Sequence, residues 1–373
     1  MLKMFEQPVG KRAVATRVAL AVGLAIFVAG ALTSCSSPKV RFGYVATGQG
    51  IFAFRMDAKT GAATQIFGSP FVAKTNPQFG FASASSVLVH PSDQFLYVAD
   101  ENINSISEFK IDHTTGALTE VQPRTALTSP AGAGLAPAVM TMDSAGKFLF
   151  VGNQGSNDIW VFSIADSGAL TLVSSATVGA SPTGLTLSAS GDFLYVPVQA
   201  FSAIEVFSVS AGSLTQVAPV VVAGGVGQVG IDPQGSFLYV PNPSNNTVTV
   251  LRIQPDGSLA LGPGAFATGT TPVAAIASQT GAYVYVANSG STNVSQFQVD
   301  TTNGQLTTLT GTTAGTGSQP VAIIPDPQAK FTFVVNQSAN SVSEFTSNSN
   351  GTLSTSGNTV QLSVAPRWFS ITN

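Results

Sequence analysis

Few side chains in this sequence could act as an acid, a base or a metal ligand, and the strongest pair is Asp100 with Glu101. The two carboxylates are adjacent in "YVADENINS", where they could serve as a general acid and base or hold a cation. The alternative is an acidic loop that is simply solvated. His90 and His113 are the only histidines, and both fall in predicted turns, which favours solvated imidazoles over catalytic bases.

Other signatures of catalysis are missing from the sequence. It has no pair of cysteines or histidines at metal-ligand spacing and no calcium loop of the Asp-x-Asp-x-Asp-Gly kind. The glycine-rich piece "GTTAGTGS" does not open a helix, so a phosphate-binding loop is not indicated, and there is no Gly-x-Ser-x-Gly turn for a nucleophile. We therefore expect neither a cofactor nor a metal.

A further set of polar residues recurs at one point of a repeated pattern. At such positions Asn and Asp either contact a ligand from the rim of a rigid scaffold or stabilise tight turns by bonding their own backbone. Both interpretations stay open for Asn153, Asp158, Asn242, Asn288 and Asn336.

The pattern that positions these residues is a six-residue phrase that occurs seven times. The copies are "FGYVAT", "FLYVAD", "FLFVGN", "FLYVPV", "FLYVPN", "YVYVAN" and "FTFVVN", and their third residues are 44 to 53 residues apart. That period is the size of one four-stranded propeller blade. An aromatic-Leu-Tyr-Val strand without polar alternation needs cover on both faces, which two neighbouring blades would supply.

The copies share an order of strands and turns. In the fifth copy, "VGQVGID" is predicted to be the inner strand, and "FLYVPN", "TVTVLRI" and "SLALG" are predicted to follow it outward. The first copy lacks a preceding inner strand, whereas the chain finishes on a surplus one, "APRWFSITN". We therefore predict an all-β fold: a seven-bladed β-propeller over residues 40–373, made of four-stranded antiparallel blades. Its last strand would close the ring as the inner strand of the first blade, a velcro closure.

The N-terminal segment is predicted to be a lipoprotein signal peptide, residues 1–34. A basic leader and an apolar run precede "LTSC", in which Cys35 would accept the lipid and residues 35–39 would form a short linker. An uncleaved membrane anchor is the alternative. The protein is thus expected to be exported and attached to a membrane of the bacterial cell envelope through acylated Cys35, facing the periplasm or the exterior. Without the leader, 11 basic and 17 acidic residues remain, and no basic patch indicates nucleic acid as a partner.

The phrases resemble the YVTN-type repeat, and the chain from about residue 40 onward resembles the lactonase-family propellers, which include 6-phosphogluconolactonase. This resemblance implies a lactone hydrolase with histidine, arginine and an acidic residue at the mouth of the central channel. Two inner strands differ from that pattern. The third blade, "PAVMTMD", has no histidine, and the fifth has Gly227 and Gln228 where the family's Arg and His would stand.

One partial match lies near the end of the chain. The tripeptide "PRW" resembles the family's Pro-Arg-His, but in another blade and with Trp368 in place of the histidine. Arg367 could bind a carboxylate or phosphate in the channel, or it could be a structural plug at the closure. We take Arg367, Trp368, Gln228 and the four recurring asparagines as candidate ligand contacts.

Two functions are consistent with these residues. The protein could be a non-catalytic binding or scaffold module, which we favour, or a lactone hydrolase in which Arg367 binds the anion and Asp100 or Glu101 directs water. Two long connections, residues 69–84 and 122–137, could form a lid over the channel or be ordinary loops.

Overall fold

The seven aromatic phrases form the second strands of seven antiparallel sheets. A computed structural model describes residues 40–73, 83–127, 135–309 and 314–373. Besides strands, the described ranges contain two short 3-10 helices, Glu101–Ile103 and Gln199–Phe201. The strands of the first three blades are β1 (Arg41–Thr47), β2 (Gly50–Met56), β3 (Ala63–Gln65), β4 (Ala84–Val89), β5 (Phe95–Asp100), β6 (Ser105–Ile111), β7 (Leu118–Ala126), β8 (Pro137–Met142), β9 (Phe148–Asn153), β10 (Asp158–Ile164) and β11 (Leu170–Thr177).

The remaining blades follow the same order from the inside outward. Their strands are β12 (Thr186–Leu187), β13 (Phe193–Val198), β14 (Ala203–Ser210), β15 (Ser213–Val221), β16 (Gly230–Ile231), β17 (Phe237–Asn242), β18 (Thr247–Ile253), β19 (Leu259–Ala267), β20 (Pro272–Ala277), β21 (Tyr283–Asn288), β22 (Asn293–Val299), β23 (Leu306–Thr308), β24 (Ala314–Gly315), β25 (Pro320–Pro325), β26 (Phe331–Asn336), β27 (Ser341–Ser347), β28 (Leu353–Gln361) and β29 (Pro366–Ile371).

The hydrophobic core is divided among the gaps between blades. Blade 1 has the strand order β29-β1-β2-β3, and blades 2 to 7 each begin with their own inner strand: β4, β8, β12, β16, β20 and β25. Within the described ranges, seven clusters of buried apolar residues each join two consecutive blades, and one of them joins blade 7 to blade 1. The ring is therefore closed, and the predicted seven-bladed propeller is confirmed.

The closure is formed by the last strand of the chain. β29 pairs antiparallel with β1, and Ser370 lies opposite Tyr44 in the register. A buried ion pair adds to this seam, because Arg41 at the start of β1 donates a hydrogen bond to Asp326 in the turn after β25. The prediction that the surplus C-terminal strand completes the first blade is confirmed.

The aromatic phrase is explained by one glycine in the next blade. The third-residue tyrosine donates its hydroxyl to the carbonyl of the glycine in the turn between the third and fourth strands of the following blade, as in Tyr97 to Gly168 at 2.8 Å. The first aromatic of the phrase covers the same glycine, since a Cβ at Gly168 would lie 2.6 Å from the Phe95 ring. Gly168 also has φ +89°, which favours glycine. The bond recurs at Tyr44–Gly116, Tyr195–Gly257 and Tyr285–Gly351.

The inner strand of blade 5 is shorter than predicted. Of "VGQVGID", only Gly230 and Ile231 form a ladder with β17, although the N–H of Gly227 also donates to Pro241 O at 2.9 Å. Gln228 instead pairs with the inner strand of blade 6, because its N–H donates to Val273 O at 2.8 Å and its carbonyl accepts from Ala275 N at 3.0 Å. Gly227 permits this approach, since a Cβ there would lie 2.4 Å from Val273 O.

Several predictions concern residues outside the described ranges. These are the signal peptide of residues 1–34, lipidated Cys35 with its linker to residue 39, and the central parts of both long connections, residues 74–82 and 128–134. Within the described ranges, no helix has the length and apolar character needed to cross a bilayer.

Candidate functional site

The inner strands of all seven blades converge on a central channel that contains a pocket of about 270 Å³. Its walls are mainly apolar because the inner strands carry aliphatic residues where they face the axis. Representative side chains are those of Leu88, Leu185, Val229, Ile276 and Ile324. None of the described residues that line this pocket is ionisable. The pocket can therefore bind an apolar body but contains no acid or base of its own.

Two predicted ligand contacts, Gln228 and Trp368, line this pocket. The backbone of Gln228 is held by blade 6, as described above, while its side-chain amide makes no hydrogen bond to any described residue. Two other polar side chains are already engaged, because Ser370 accepts the N–H of Val89 at 3.0 Å and Thr186 donates to Val229 O at 3.0 Å. Gln228 is thus placed to bind a polar group of a ligand.

Arg367 and Glu101 meet at the rim where the second strands end, which we call the loop rim. Arg367 follows Pro366, which pairs with Thr47 at the end of β1, and Glu101 follows the end of β5. Arg367 Nη1 donates to Glu101 Oε2 at 2.8 Å, and the two side chains are 36% and 40% exposed. So exposed a pair contributes about 0–1 kcal/mol to stability, and an anionic ligand could displace the glutamate at small cost.

Asp100 does not share this exposed site with Glu101. Its carboxyl is buried within blade 2, where Ser107 donates a hydrogen bond to it and Ser105 lies 3.5 Å away. Burial raises the pKa of Asp100 to about 7, against the hydrogen bond from Ser107, which lowers it. The structure therefore brings Glu101 together with Arg367 and separates Asp100 from both.

The four recurring asparagines occupy the same position as Asp100 in their own blades and are fully buried. Their amides bond to the first residues of the third strand; for example, Asn336 donates to Ser341 at 3.2 Å and Ser343 at 2.8 Å. The same arrangement holds Asn153 to Asp158, Asn242 to Thr247 and Thr249, and Asn288 to Asn293 and Ser295. This placement favours the structural interpretation, and a ligand contact by these asparagines stays a prediction.

The two histidines lie in turns, as the sequence indicated. His90 precedes β5 at the opposite rim, and its ring bonds to Ser92 Oγ at 2.7 Å and Gly146 O at 3.0 Å. His113 is exposed in the turn between β6 and β7. Neither histidine lines the channel pocket.

With this geometry in place, comparison with known proteins identifies the family. A family model described as "Lactonase, 7-bladed beta-propeller" matches residues 50–225 and 216–323. The chain belongs to this lactonase family. No curated protein matches the sequence significantly.

Solved structures of similar fold cover nearly the whole propeller. A putative 6-phosphogluconolactonase from Bacteroides fragilis is 20% identical over 91% of this chain and 99% of its own, with a TM-score of 0.76. One from Bacteroides uniformis is 18% identical over 90% and 99%, with a TM-score of 0.74. The periplasmic gluconolactonase of Pseudomonas aeruginosa is 18% identical over 90% and 99%, with a TM-score of 0.70. At these identities the similarity establishes the lactonase fold alone.

Sequence reasoning missed the apolar lining of the channel. The signal was present in the inner strands, because "SSVLV", "PVAAIA" and "PVAIIP" carry aliphatic or small residues at every position that can face the axis. In this member of the lactonase family the channel pocket is therefore apolar, and Arg367 lies outside its lining in an ion pair with Glu101.

Proposed function

We propose that this lactonase-family propeller is an exported binding or scaffold module that takes a small, largely apolar ligand into its central channel. The observation that carries the proposal is the lining of the 270 Å³ pocket: aliphatic walls, the indole of Trp368 and the unengaged amide of Gln228. Such a pocket, with few polar groups placed to orient a ligand, is typical of small-molecule binding sites.

The same lining is unfavourable for hydrolysis. Attack of water on a lactone carbonyl needs a general base within hydrogen-bond reach. The pocket-lining residues in the described ranges include no such group, and the carboxyl of Asp100 is directed into its own blade.

A lactone hydrolase is the alternative, and the pairing of Arg367 with Glu101 favours it. A substrate carboxylate or phosphate that binds Arg367 would release Glu101, whose carboxylate could then orient water at the loop rim. Two similar structures carry the description 6-phosphogluconolactonase and a third carries gluconolactonase, which makes sugar lactones the substrates to test.

The deciding experiment is hydrolysis of 6-phosphogluconolactone and gluconolactone by the purified protein and its Arg367→Ala variant. We expect no turnover above the buffer rate. Saturable turnover that disappears in Arg367→Ala would reject the binding-module proposal and support the hydrolase.

Ligand binding in the channel can be followed through tryptophan fluorescence. Cyclohexanecarboxylate combines an apolar ring with one anionic group, and we expect it to change the emission of Trp368. The change should persist in Trp160→Phe, because Trp160 lies in β10 of blade 3, and should disappear in Trp368→Phe. Gln228→Leu should weaken binding without unfolding the protein.

We also propose attachment to the membrane through Cys35, on the strength of the "LTSC" pattern after the apolar leader. The test is metabolic labelling with an alkyne fatty acid in a bacterial host. Wild type should be labelled and membrane-bound, and Cys35→Ser should lose the label. Labelling of Cys35→Ser would contradict the assignment.

A further inference from the structure

A second cavity lies between blades 7 and 1, and one sequence difference accounts for it. The residue two positions after the turn glycine that precedes the fourth strand is leucine in six blades and Ala63 in blade 1. A leucine there packs against the neighbouring blade, as Leu353 does at 4% exposure. An alanine is three carbons smaller, so blade 1 cannot fill the corresponding space. The six leucines are Leu118, Leu170, Leu214, Leu259, Leu306 and Leu353.

The resulting seam cavity has a volume of about 200 Å³ and walls from both blades. Met56 and Ala63 line it from blade 1, Phe333 and Val342 line it from blade 7, and Phe369 of β29 completes the apolar wall. The rings of Phe333 and Phe369 are in contact, with centroids 4.8 Å apart. The lining of the seam cavity also includes Ala62, Gly357 and Thr359. These three residues are exposed, so the cavity opens at the protein surface.

One wall of the seam cavity carries a buried carboxylate, Glu344, which is 5% exposed. Its Oε1 accepts a hydrogen bond from Asn358 Nδ2 at 3.2 Å, whereas its Oε2 is buried and has no partner among the described residues. Burial raises the pKa of Glu344, against the hydrogen bonds from Asn358 and Ser356, which lower it. A buried carboxylate oxygen without a donor can accept a hydrogen bond from a bound ligand.

In two other blades the residue at this position is polar and has the partner that Glu344 lacks. Gln296 in blade 6 accepts the N–H of Leu353 in the next blade at 2.7 Å. Glu108 in blade 2 accepts the N–H of Leu170 and the hydroxyl of Thr125. The nearby cations are engaged elsewhere, because Lys330 Nζ donates to Ala58 O at 2.7 Å and Arg41 pairs with Asp326.

We propose that the seam cavity is a binding site for a small primary amine with an apolar body. The ammonium group donates to Glu344 Oε2, and the body fills the space that leucine occupies in the other blades. An apolar cavity of about 150 Å³ is large enough for benzene, so benzylammonium matches the size of this one. The ring of Phe333 adds a face that attracts a cation.

The test is titration calorimetry of the purified full-length protein with benzylammonium and with benzyl alcohol, its neutral counterpart. We expect saturable binding of the amine. The alcohol should bind at least about tenfold more weakly because it cannot make the charge-assisted hydrogen bond. Glu344→Gln keeps the volume of the side chain. It should weaken binding of the amine by a similar factor and leave binding of the alcohol unchanged.

Ala63→Leu restores the residue found in the other six blades and should abolish binding of both compounds. One matched control, Glu108→Gln, should leave binding unchanged because its carboxylate is already engaged in blade 2. Ala63 and Glu344 line the seam cavity and not the channel pocket, so failure of this proposal is distinguishable from failure of the proposed function. Absence of saturable amine binding, equal binding of the alcohol, or full binding by Ala63→Leu would each overturn the proposal.

Discussion

Replacing either member of the buried Arg41–Asp326 pair should destabilise the protein more than replacing both. The guanidinium of Arg41 donates to Asp326 and, at 3.3 Å, to the carbonyl of Thr372 beyond β29. Asp326 also accepts the backbone N–H groups of Gln328 at 3.1 Å and of Lys330 and Phe331 at 3.2 Å each. Both side chains are essentially excluded from water.

The magnitudes follow from what each substitution leaves behind. Asp326→Asn leaves an unpaired buried guanidinium and should cost about 3–5 kcal/mol of unfolding free energy. Arg41→Met leaves a carboxylate that keeps its backbone donors, so we expect about 3 kcal/mol. In the double variant no buried charge remains unpaired and the volume is largely kept, so the cost should be below about 2 kcal/mol. The coupling energy would then be at least about 4 kcal/mol.

The assay is equilibrium urea unfolding followed by both far-UV circular dichroism and tryptophan fluorescence, with coincident transitions as the check on two-state behaviour. Asp232→Asn is the matched control. Asp232 occupies the same turn in blade 5 and accepts the N–H groups of Ser236 at 2.7 Å and Phe237 at 2.5 Å, with no described ion pair to arginine. Its replacement should cost about 1 kcal/mol or less. If the double variant loses as much stability as the two single variants together, the two charges do not interact and the reasoning is refuted.

Three further predictions concern a tyrosine pair, a glycine pair and the buried carboxyl of Asp100. Tyr97→Phe removes the bond to Gly168 and should cost about 1–2 kcal/mol, whereas Tyr239→Phe should be neutral or stabilising because the hydroxyl of Tyr239 is buried without a partner; urea unfolding of both variants tests this. Gly257→Ala combines φ +79° with a Cβ 2.1 Å from Phe193 and should lower the free energy of unfolding by about 2–4 kcal/mol. Gly235→Ala also has positive φ but open space around the Cβ, and should lower it by about 1 kcal/mol. Similar urea midpoints for the two variants would contradict the packing argument. Finally, because the pKa of Asp100 is raised by burial, its contribution to stability should fall as pH increases from about 4 to 7. Asp100→Asn introduces the residue that four other blades have at this position. The free energy of unfolding of this variant should equal that of the wild type near pH 4 and exceed it by a few kcal/mol at pH 8, as measured by urea unfolding at each pH.

The blade count and the closure were predictable because they depend on local repetition. Each aromatic phrase carries the contacts that join it to the next blade, so the phrase implies both a strand and a covered face. The surplus strand "APRWFSITN" had a single vacant position to fill, beside the segment around Tyr44. Such a pattern can be recognised in the sequence because every blade packs against its neighbours in the same way.

The candidate site was less predictable because its contacts join distant parts of the chain. Arg367 and Glu101 are 266 positions apart, and nothing near either residue indicates the other. The short inner strand of blade 5 depends on a carbonyl of blade 6. The asparagines were ambiguous, yet a signal existed: hydroxyl residues five and seven positions later, such as Ser341 and Ser343 after Asn336, provide internal partners. The seam cavity depends on Ala63, which stands where the other six blades have leucine.

The pairing of β29 with β1 also sets the timing of folding. Blade 1 acquires its inner strand only after all other strands have been synthesised, which takes roughly 16–65 s after β1 at about 5–20 residues per second. Throughout that interval the edge of β1 has no partner on its inner side. The ring therefore cannot close before β29 has been synthesised.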